Sequence, residues 1–269
     1  EDFLDTWETV RNAGFVNVNI DLISAIPGQT VKSWEETLRT AAELGPEHLS
    51  AYSLIIEEGT PFYDDYGEDS GVKDCVNGKE LASLPDEDTE REIYRMTEHI
   101  LKEYGYHRYE ISNYAKEGCE CRHNLGYWER KEYLGLGLGA SSLVREHRFH
   151  NTADMEKYMR IFGGNVYVPT ETPEEKSERA NFIGKAAVEI EIMTEKDRIE
   201  EFMFLGLRKT TGISCREFRE NFGKPIEEIY GRQLRCFLTL ELMKKEGDRL
   251  FLTERGLDVS NTVSAEFML

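Results

Sequence analysis

Apolar and polar positions in the first part of the chain change period from one segment to the next, which indicates alternating helices and strands. Apolar residues three and four positions apart predict amphipathic helices over 3–14 and 31–45, each ending at a glycine. The runs 17–23 and 49–56 have the length and composition of strands. This order of helix, strand, helix and strand predicts parallel strands covered by helices.

The pattern is less regular in the middle of the chain. The acidic, glycine-containing stretch 64–88 is typical of a loop, and the apolar spacing after it predicts a helix that Gly105 ends. Two short strands are expected after this helix, over 109–114 and over the glycine-punctuated run 133–143.

The last part of the chain has a different organisation. Residues 151–196 are predicted to be a mostly helical, polar connection. Helical patterns around Phe218 and over 226–243, together with short apolar strands, predict a winged-helix-like module of three helices and a small β-wing. We therefore expect an α/β fold with parallel strands and covering helices at 1–150, the connection at 151–196 and a winged-helix-like α+β domain at 197–269.

Charge restricts the partners of the chain. Of its 52 acidic and 33 basic side chains, 39 and 21 precede residue 197, so nearly all of the net charge of −19 lies there. Such a charge repels nucleic-acid backbones and anionic lipids, and the nearly neutral module at 197–269 gives DNA binding no electrostatic support. No apolar run approaches the roughly 20 residues of a membrane span. We expect neither nucleic acid as a partner nor an integral membrane segment.

The five cysteines are odd in number and scattered, which favours free thiols in a reducing cytoplasm over a disulfide framework. Only Cys119 and Cys121 lie close together, and no second pair at matching spacing completes a zinc site. We therefore predict a cytoplasmic protein whose present sequence supplies no metal site.

Polar residues alternate along the first predicted strand, although a strand buried in a parallel sheet is usually apolar on both faces. Asn17, Asn19 and Asp21 share one face because side chains alternate along a strand. Two interpretations stay open. The face lines an open barrel, where the Asp21 carboxylate accepts hydrogen bonds from a ligand's hydroxyl or amino groups, or it is the wet face of an edge strand.

The turn that contains Gly28 and Gln29 is a second candidate for a binding site. It joins the first strand to its helix, which is where α/β barrels place their active-site loops. The alternative is an ordinary turn in which Thr30 caps the helix.

The heptad 122–128 combines three kinds of recognition group. Arg122 could bind a carboxylate and His123 could ligate a metal. Tyr127 and Trp128 could stack on a planar ring. The alternative is a loop anchored by its aromatic residues. The glycines of the run 135–139 are spaced unlike a phosphate loop, so close backbone approach is the better explanation for them.

Taken together, these segments closely resemble the HemW family, a radical-SAM group related to oxygen-independent coproporphyrinogen III oxidase. The resemblance covers nearly the whole chain and depends on the joint order of several motifs. The matching motifs are NIDLI at 19–23, IPGQT at 26–30, ELGPEHLSAYSL at 43–54, EGTPF at 58–62, YEISNYA at 109–115, RHNLGYW at 122–128, YLGLG at 133–137 and ERGL at 254–257.

The resemblance implies the C-terminal part of a partial (β/α)6 radical-SAM barrel of TIM-like architecture, followed by a winged-helix-like cap. It implies a haem chaperone that binds haem and delivers it to haem proteins, with S-adenosylmethionine and a 4Fe-4S cluster as cofactors of the intact protein. By motif match, Asp21 contacts S-adenosylmethionine and Ile55 aligns with a backbone position beside it. We expect Gly28 and Gln29 to belong to the same site.

The chain departs from the family in two places. It contains no C-x-x-x-C-x-x-C and begins within a predicted helix, so we expect a fragment whose cluster ligands lie upstream of Glu1. Such a fragment is expected to be inactive alone. A motif that usually ends in Ala-His-Ser reads ASS at 140–142, which removes one expected haem-facing histidine. We expect haem contacts from three residues of the heptad, His123, Arg122 and Tyr127.

Two other functions remain open on the sequence alone. One is an oxygen-independent coproporphyrinogen III oxidase of haem biosynthesis, which is an enzyme rather than a chaperone. The other is a regulatory or binding module of the winged-helix kind.

Overall fold

The structure, a computed structural model, describes residues 2–67, 75–76, 79–162 and 187–269. Its contacts divide the chain into two compact units, 1–122 and 123–269, and each is described by itself. In these described ranges, no helix is both long and apolar enough to cross a membrane.

The first unit is built on a mixed four-stranded sheet. Its elements are, in chain order, α1 (Asp2–Asn12), β1 (Asn19–Ser24), α2 (Val31–Glu43), β2 (His48–Ser53), α3 (Pro61–Tyr66), β3 (Cys75–Val76), β4 (Lys79–Glu80), α4 (Glu87–Glu103), β5 (His107–Arg108) and β6 (Asn113–Ala115). The strand order is β1-β2-β6-β5, with β1 at one edge. Strands β1 and β2 are parallel, as predicted, whereas β6 runs antiparallel to both of its neighbours.

Helices α2 and α4 supply much of the apolar core of this unit. Trp34 and Leu38 lie one turn apart on α2 and are almost fully buried, as are Ile93 and Ile100 on α4. The indole Nε1–H of Trp34 donates to the Thr97 hydroxyl at 2.8 Å, so its polar atom is satisfied inside the core.

The ends of these two helices follow from local chemistry. The Thr30 side chain accepts the backbone N–H of Ser33, and the Ser33 side chain accepts the N–H of Thr30, which makes a capping box before α2. Gly105 follows α4 with a φ of +84°, a left-handed conformation that glycine adopts without strain. Both predicted helices are confirmed.

The single strand predicted over 109–114 is wrong. The segment contains a tight turn between β5 and β6, because one carboxylate stabilises the bend. Glu110 Oε1 accepts the Ser112 N–H at 2.7 Å and an Asn113 Nδ2–H at 2.6 Å. The loop predicted over 64–88 is shortened by helices α3 and α4 at its two ends. Residues 68–74 and 77–78 of that prediction lie outside the described residues.

The second unit carries two further three-stranded sheets. Its elements are α5 (Arg122–Trp128), β7 (Ser141–Val144), β8 (His147–Asn151), α6 (Met155–Phe162), β9 (Ala187–Ile192), α7 (Glu195–Gly206), β10 (Ile213–Ser214), α8 (Cys215–Phe222), α9 (Ile226–Thr239), β11 (Met243–Glu246), β12 (Arg249–Leu252), α10 (Glu254–Asp258) and α11 (Ser260–Ala265). The sheet orders are β7-β8-β9 and β10-β12-β11, and every strand pair in them is antiparallel.

Two predictions in this unit are corrected. The strand predicted over 133–143 begins only at Ser141, because Gly137 and Gly139 adopt positive φ values of 109° and 67° and turn the chain. The predicted helical connection is interrupted by β9, which pairs with β8. Residues 163–186 of that connection lie outside the described residues.

The C-terminal module has the predicted helices and β-wing, with two differences in detail. The long helix expected over 226–243 ends at Thr239, because Glu241 takes a left-handed φ of +56° and the chain then enters β11. Two short helices, α10 and α11, also follow the wing.

A buried carboxylate joins this module to the strands before it. Glu201 on α7 is 5% exposed and lies 2.6 Å from Arg130 Nε and 2.6 Å from Arg148 NH2. Arg130 also pairs with Glu146 at 2.5 Å. The network fixes the start of the module to the β7–β8 hairpin within one unit.

Candidate functional site

The register of β1 and β2 creates a polar face on the sheet of the first unit. Asn19 lies opposite His48 and Asp21 lies opposite Ser50, so four polar side chains share one face. The opposite face carries Ile20 and Leu49, which are buried in the core of α2 and α4. Asn19 and Asp21 are exposed on this edge strand. The polar row predicted from the sequence therefore continues onto the neighbouring strand.

Side-chain hydrogen bonds connect the members of this face. Asn19 Nδ2 donates to Asp21 Oδ1 at 2.8 Å, and Asn19 Oδ1 lies 2.7 Å from His48 Nδ1. The other ring nitrogen, His48 Nε2, lies 2.8 Å from the hydroxyl of Tyr109. That hydroxyl accepts the backbone N–H of Cys121 at 3.3 Å. The connection therefore runs from the edge strand to the loop after β6.

His48 is enclosed at the centre of this connection. It is 5% exposed, and its ring meets the ring of Tyr109 edge-on, with 5.6 Å between centroids. Burial lowers the pKa of His48 below its ordinary value, because charging the imidazole there costs solvation. The carboxylates of Asp21 and Glu120 oppose this shift. The neutral form of His48 is therefore favoured.

Two buried acceptor atoms border the same face at the start of β6. Asn113 pairs with Ser50 in the sheet and is hydrogen-bonded to Glu110. Glu110 Oε2 and Asn113 Oδ1 have no hydrogen-bond partner within the described residues, although the two residues are only 1% and 3% exposed. Such atoms fit a donor group such as a bound water or a ligand N–H.

The residues of the predicted turn have structural partners. The Gly28 N–H donates to the Ser83 carbonyl at 2.9 Å, and Gly28 has a φ of +76°, which favours glycine. The side-chain oxygen of Gln29 accepts the Ala25 N–H at 2.6 Å. Ile55 follows β2 and is 77% exposed. A role of these three residues in ligand binding stays a prediction.

The heptad 122–128 forms helix α5 rather than a loop. The rings of His123 and Tyr127, one turn apart, meet edge-to-face with 4.7 Å between centroids. Tyr127 meets Tyr133 in the same way, also at 4.7 Å. The side chain of His123 is exposed, whereas both tyrosines are half-buried. Arg122 is exposed at the start of the helix, and its predicted ligand contact stays a prediction.

An apolar loop follows this aromatic group directly. Leu134, Leu136 and Leu138 are 63%, 84% and 40% exposed. Gly135 holds the base of the loop, because a Cβ atom there would lie 2.1 Å from the carbonyl oxygen of Ser141. Exposed leucines in close succession are unusual on a protein surface and are typical of a site that receives an apolar partner.

The side chains that the structure describes do not fit an iron–sulfur cluster. Within the described ranges, no three or more His, Cys, Asp or Glu side chains are placed to hold a metal ion. Cys119, Cys121, Cys215 and Cys236 are free thiols, and the side chain of Cys75 lies outside the described residues. An exposed carboxylate at Asp21, in contrast, fits a ligand that donates hydrogen bonds from hydroxyl groups.

Sequence reasoning missed His48, Tyr109, Glu110 and Asn113. One signal was available for His48, because it alternates with Ser50 and Tyr52 as Asn19 alternates with Asp21. The partners themselves are far apart in the chain, so only the folded sheet brings them together.

A cavity of about 640 Å³ lies elsewhere, in the C-terminal module. Leu238 and Met243 supply apolar surface to it, and Glu241, Lys244 and Arg255 supply charges of both signs. None of the predicted site residues lines it.

Comparison with known proteins finds relatives that match along nearly the whole chain. The family model of the HemN C-terminal domain matches residues 193–259. The chain is 32% identical over 265 residues to the heme chaperone HemW of Lactococcus lactis, covering 98% of this chain and 62% of that protein. It is 32% identical over 268 residues to the heme chaperone HemW of Bacillus subtilis, covering 100% of this chain and 63% of that protein. The resemblance to the HemW family is confirmed, and the chain spans less than two thirds of the length of these relatives.

A solved structure supports the fold. The coproporphyrinogen III oxidase HemN of Escherichia coli, described as a radical SAM enzyme, matches with a TM-score of 0.70 and 18% identity. The match covers 99% of this chain and 58% of that one. The α/β fold followed by a C-terminal module is therefore shared with HemN.

Proposed function

We propose that this chain, which is related to the HemW proteins over almost its whole length, is part of a haem chaperone and binds haem at helix α5. The observation that carries the proposal is an exposed histidine held against an aromatic group beside exposed leucines. Haem requires an axial ligand for its iron and apolar surface for its macrocycle. His123 and the loop 134–138 supply groups of these two kinds within one unit.

The exposed imidazole of His123 suits iron ligation in its neutral form, through a ring nitrogen. Tyr127 restrains the ring orientation by edge-to-face contact, so less side-chain freedom is lost when a ligand binds. Arg122 at the start of α5 is proposed to pair with a propionate of haem.

A second ligand is proposed for the first unit. Asp21 is proposed to accept hydrogen bonds from the hydroxyl groups of S-adenosylmethionine, with Gly28, Gln29 and Ile55 close to the same ligand. S-adenosylmethionine supplies radical chemistry when it is bound together with a 4Fe-4S cluster. The side chains described here supply no ligand set for such a cluster, so the proposal assigns this chain only the binding of S-adenosylmethionine.

The proposed partners are proteins that accept haem, and the proposed location is the cytoplasm. The acidic surface before residue 197 argues against nucleic acid. Coproporphyrinogen oxidation is not put forward, because the likeness to HemN at 18% identity supports the fold alone.

Titration with haem tests the proposal. Haemin is added to the purified chain and the Soret band is recorded. We expect a red-shifted band that saturates near one haem per chain. Metal-free protoporphyrin serves as the control and should bind more weakly, because it lacks an iron to ligate. An absorbance that grows linearly without saturation, as for free haem, would overturn the proposal.

A further inference from the structure

We propose that His48 is a positioning residue, which as its Nδ1–H tautomer fixes the Asn19 amide so that Asp21 holds its carboxylate toward a ligand with neighbouring hydroxyl groups. The positioning itself depends only on contacts in the first unit. The identity of the ligand rests on the proposed function, in which Asp21 binds the ribose of S-adenosylmethionine.

The direction of every hydrogen bond follows from the carboxylate. Ionised Asp21 only accepts, so the group of Asn19 that faces it must be the amide NH2. The carbonyl oxygen of Asn19 then faces His48, and Ser50 Oγ also donates to it at 3.3 Å. Because that oxygen has no proton, His48 Nδ1 must carry one and donate it.

The same reasoning gives the role of the second ring nitrogen of His48. Neutral His48 with a proton on Nδ1 has an acceptor at Nε2, which receives the hydroxyl proton of Tyr109 across 2.8 Å. The Tyr109 oxygen in turn accepts the Cys121 N–H. Since His48 is 5% exposed, water does not readily replace either partner, and the ring is held from both sides.

The orientation of Asp21 therefore depends on a residue that does not touch the ligand. Without a donor at His48, the Asn19 carbonyl oxygen loses its shorter contact and keeps only Ser50 Oγ at 3.3 Å, so the amide is held less firmly with its NH2 toward the carboxylate. An inverted amide would place its oxygen against Asp21, and like-charged acceptor atoms repel each other. Asp21 would then turn away from the position in which it meets hydroxyl groups.

Two variants distinguish the contribution of His48 Nδ1 from that of His48 Nε2. In His48→Asn, the side-chain NH2 lies near the position of Nδ1 and keeps the donor to Asn19 while the contact with Tyr109 is lost. In His48→Gln, the side-chain amide reaches the position of Nε2 and keeps the contact with Tyr109 while the donor to Asn19 is lost. Both variants remove the buried ring, and Asn leaves the larger void by one methylene. Weaker binding by His48→Gln than by His48→Asn therefore cannot come from packing loss.

Binding of S-adenosylmethionine to the wild-type chain and both variants is measured by calorimetric titration. We expect His48→Asn to bind within about threefold of wild type. We expect His48→Gln to bind at least about tenfold more weakly, which is the scale of one hydrogen bond between a ligand hydroxyl and the charged Asp21 carboxylate. Equal affinity of His48→Gln and wild type, with both folded, would overturn the positioning role.

Nitrogen-15 NMR tests the same role without a ligand. We expect the His48 ring to show the Nδ1–H tautomer, and the Asn19 side-chain amide to keep its chemical shift in His48→Asn but not in His48→Gln. An Nε2–H tautomer would refute the proposal. If wild type does not bind S-adenosylmethionine, the proposed function of Asp21 fails, and the NMR result alone then decides the positioning role.

Discussion

Nδ1 of His48 lies 2.7 Å from Oδ1 of Asn19, across the parallel strand pair that carries Asp21. The two residues also lie opposite each other in the backbone register. The strand pair is thus joined by a side-chain hydrogen bond in addition to its ladder. This bond links the stability of the sheet to the protonation of one buried imidazole.

The first prediction concerns pH. Because the pKa of His48 is lowered in the folded chain, the unfolded chain binds a proton first as the pH falls below about 6.5. The free energy of unfolding therefore decreases on acidification through this range and levels off below the folded pKa. The loss is limited by Asp21 and Glu120, whose charges raise that pKa.

Urea unfolding at several pH values between 7.5 and about 5 checks this prediction. His48→Asn should show a smaller slope of unfolding free energy against pH than wild type. His48→Gln also lacks the imidazole and should show the same smaller slope as His48→Asn. Identical slopes for wild type and His48→Asn would contradict the assignment.

The second prediction concerns the core of the first unit. Thr97→Val leaves the buried indole N–H of Trp34 without its acceptor, at nearly unchanged volume. We expect a loss of about 1–3 kcal/mol in the free energy of unfolding. Thr37→Val on the exposed face of α2 is the matched control and should change stability by less than about 0.5 kcal/mol. Chemical denaturation of the two variants side by side measures the difference.

The third prediction concerns the buried carboxylate of the second unit. Glu201→Ala removes the carboxylate partner of Arg148 and leaves the buried Arg130 charge with Glu146 alone, so we expect a loss of about 3 kcal/mol. Glu156→Ala removes an exposed helical pair with Arg160 and should cost less than about 0.5 kcal/mol. Comparable losses in the two variants would show that the Glu201 network adds no stability.

The fourth prediction compares two glycines near the proposed haem surface. Gly135→Ala forces a Cβ atom against the Ser141 carbonyl, and overpacking of this kind costs about 1–3 kcal/mol. Gly126→Ala, on α5 with open space around it, should stabilise the helix by up to about 1 kcal/mol. Measured by thermal unfolding, the midpoint temperature should fall below that of wild type for Gly135→Ala only.

Much of the fold could be predicted from the sequence, because its helices are encoded locally. Helix α2 has apolar residues at helical spacing and a Thr30 cap, and these signals need no distant partner. The strand predicted over 109–114 failed for the opposite reason. Its alternating apolar residues resemble a strand, but Glu110 caps a turn inside the segment.

For the candidate site too, local sequence patterns predict only part of the arrangement. Asp21 was found because its own strand alternates polar and apolar residues. His48 was missed because its role is created by Asn19 and Tyr109, 29 and 61 positions away in the chain. The hydrogen-bonded face depends on the register between β1 and β2, which the sequence pattern of either strand alone does not predict.

The most direct test of the central claim is the haem titration of His123→Ala beside His99→Ala. Both variants remove an exposed helical histidine, but only His123 lies against Tyr127. We predict that His123→Ala loses the shifted Soret band or binds haem at least about tenfold more weakly, while His99→Ala matches wild type. Unchanged haem spectra and affinity in His123→Ala would contradict the placement of haem on helix α5.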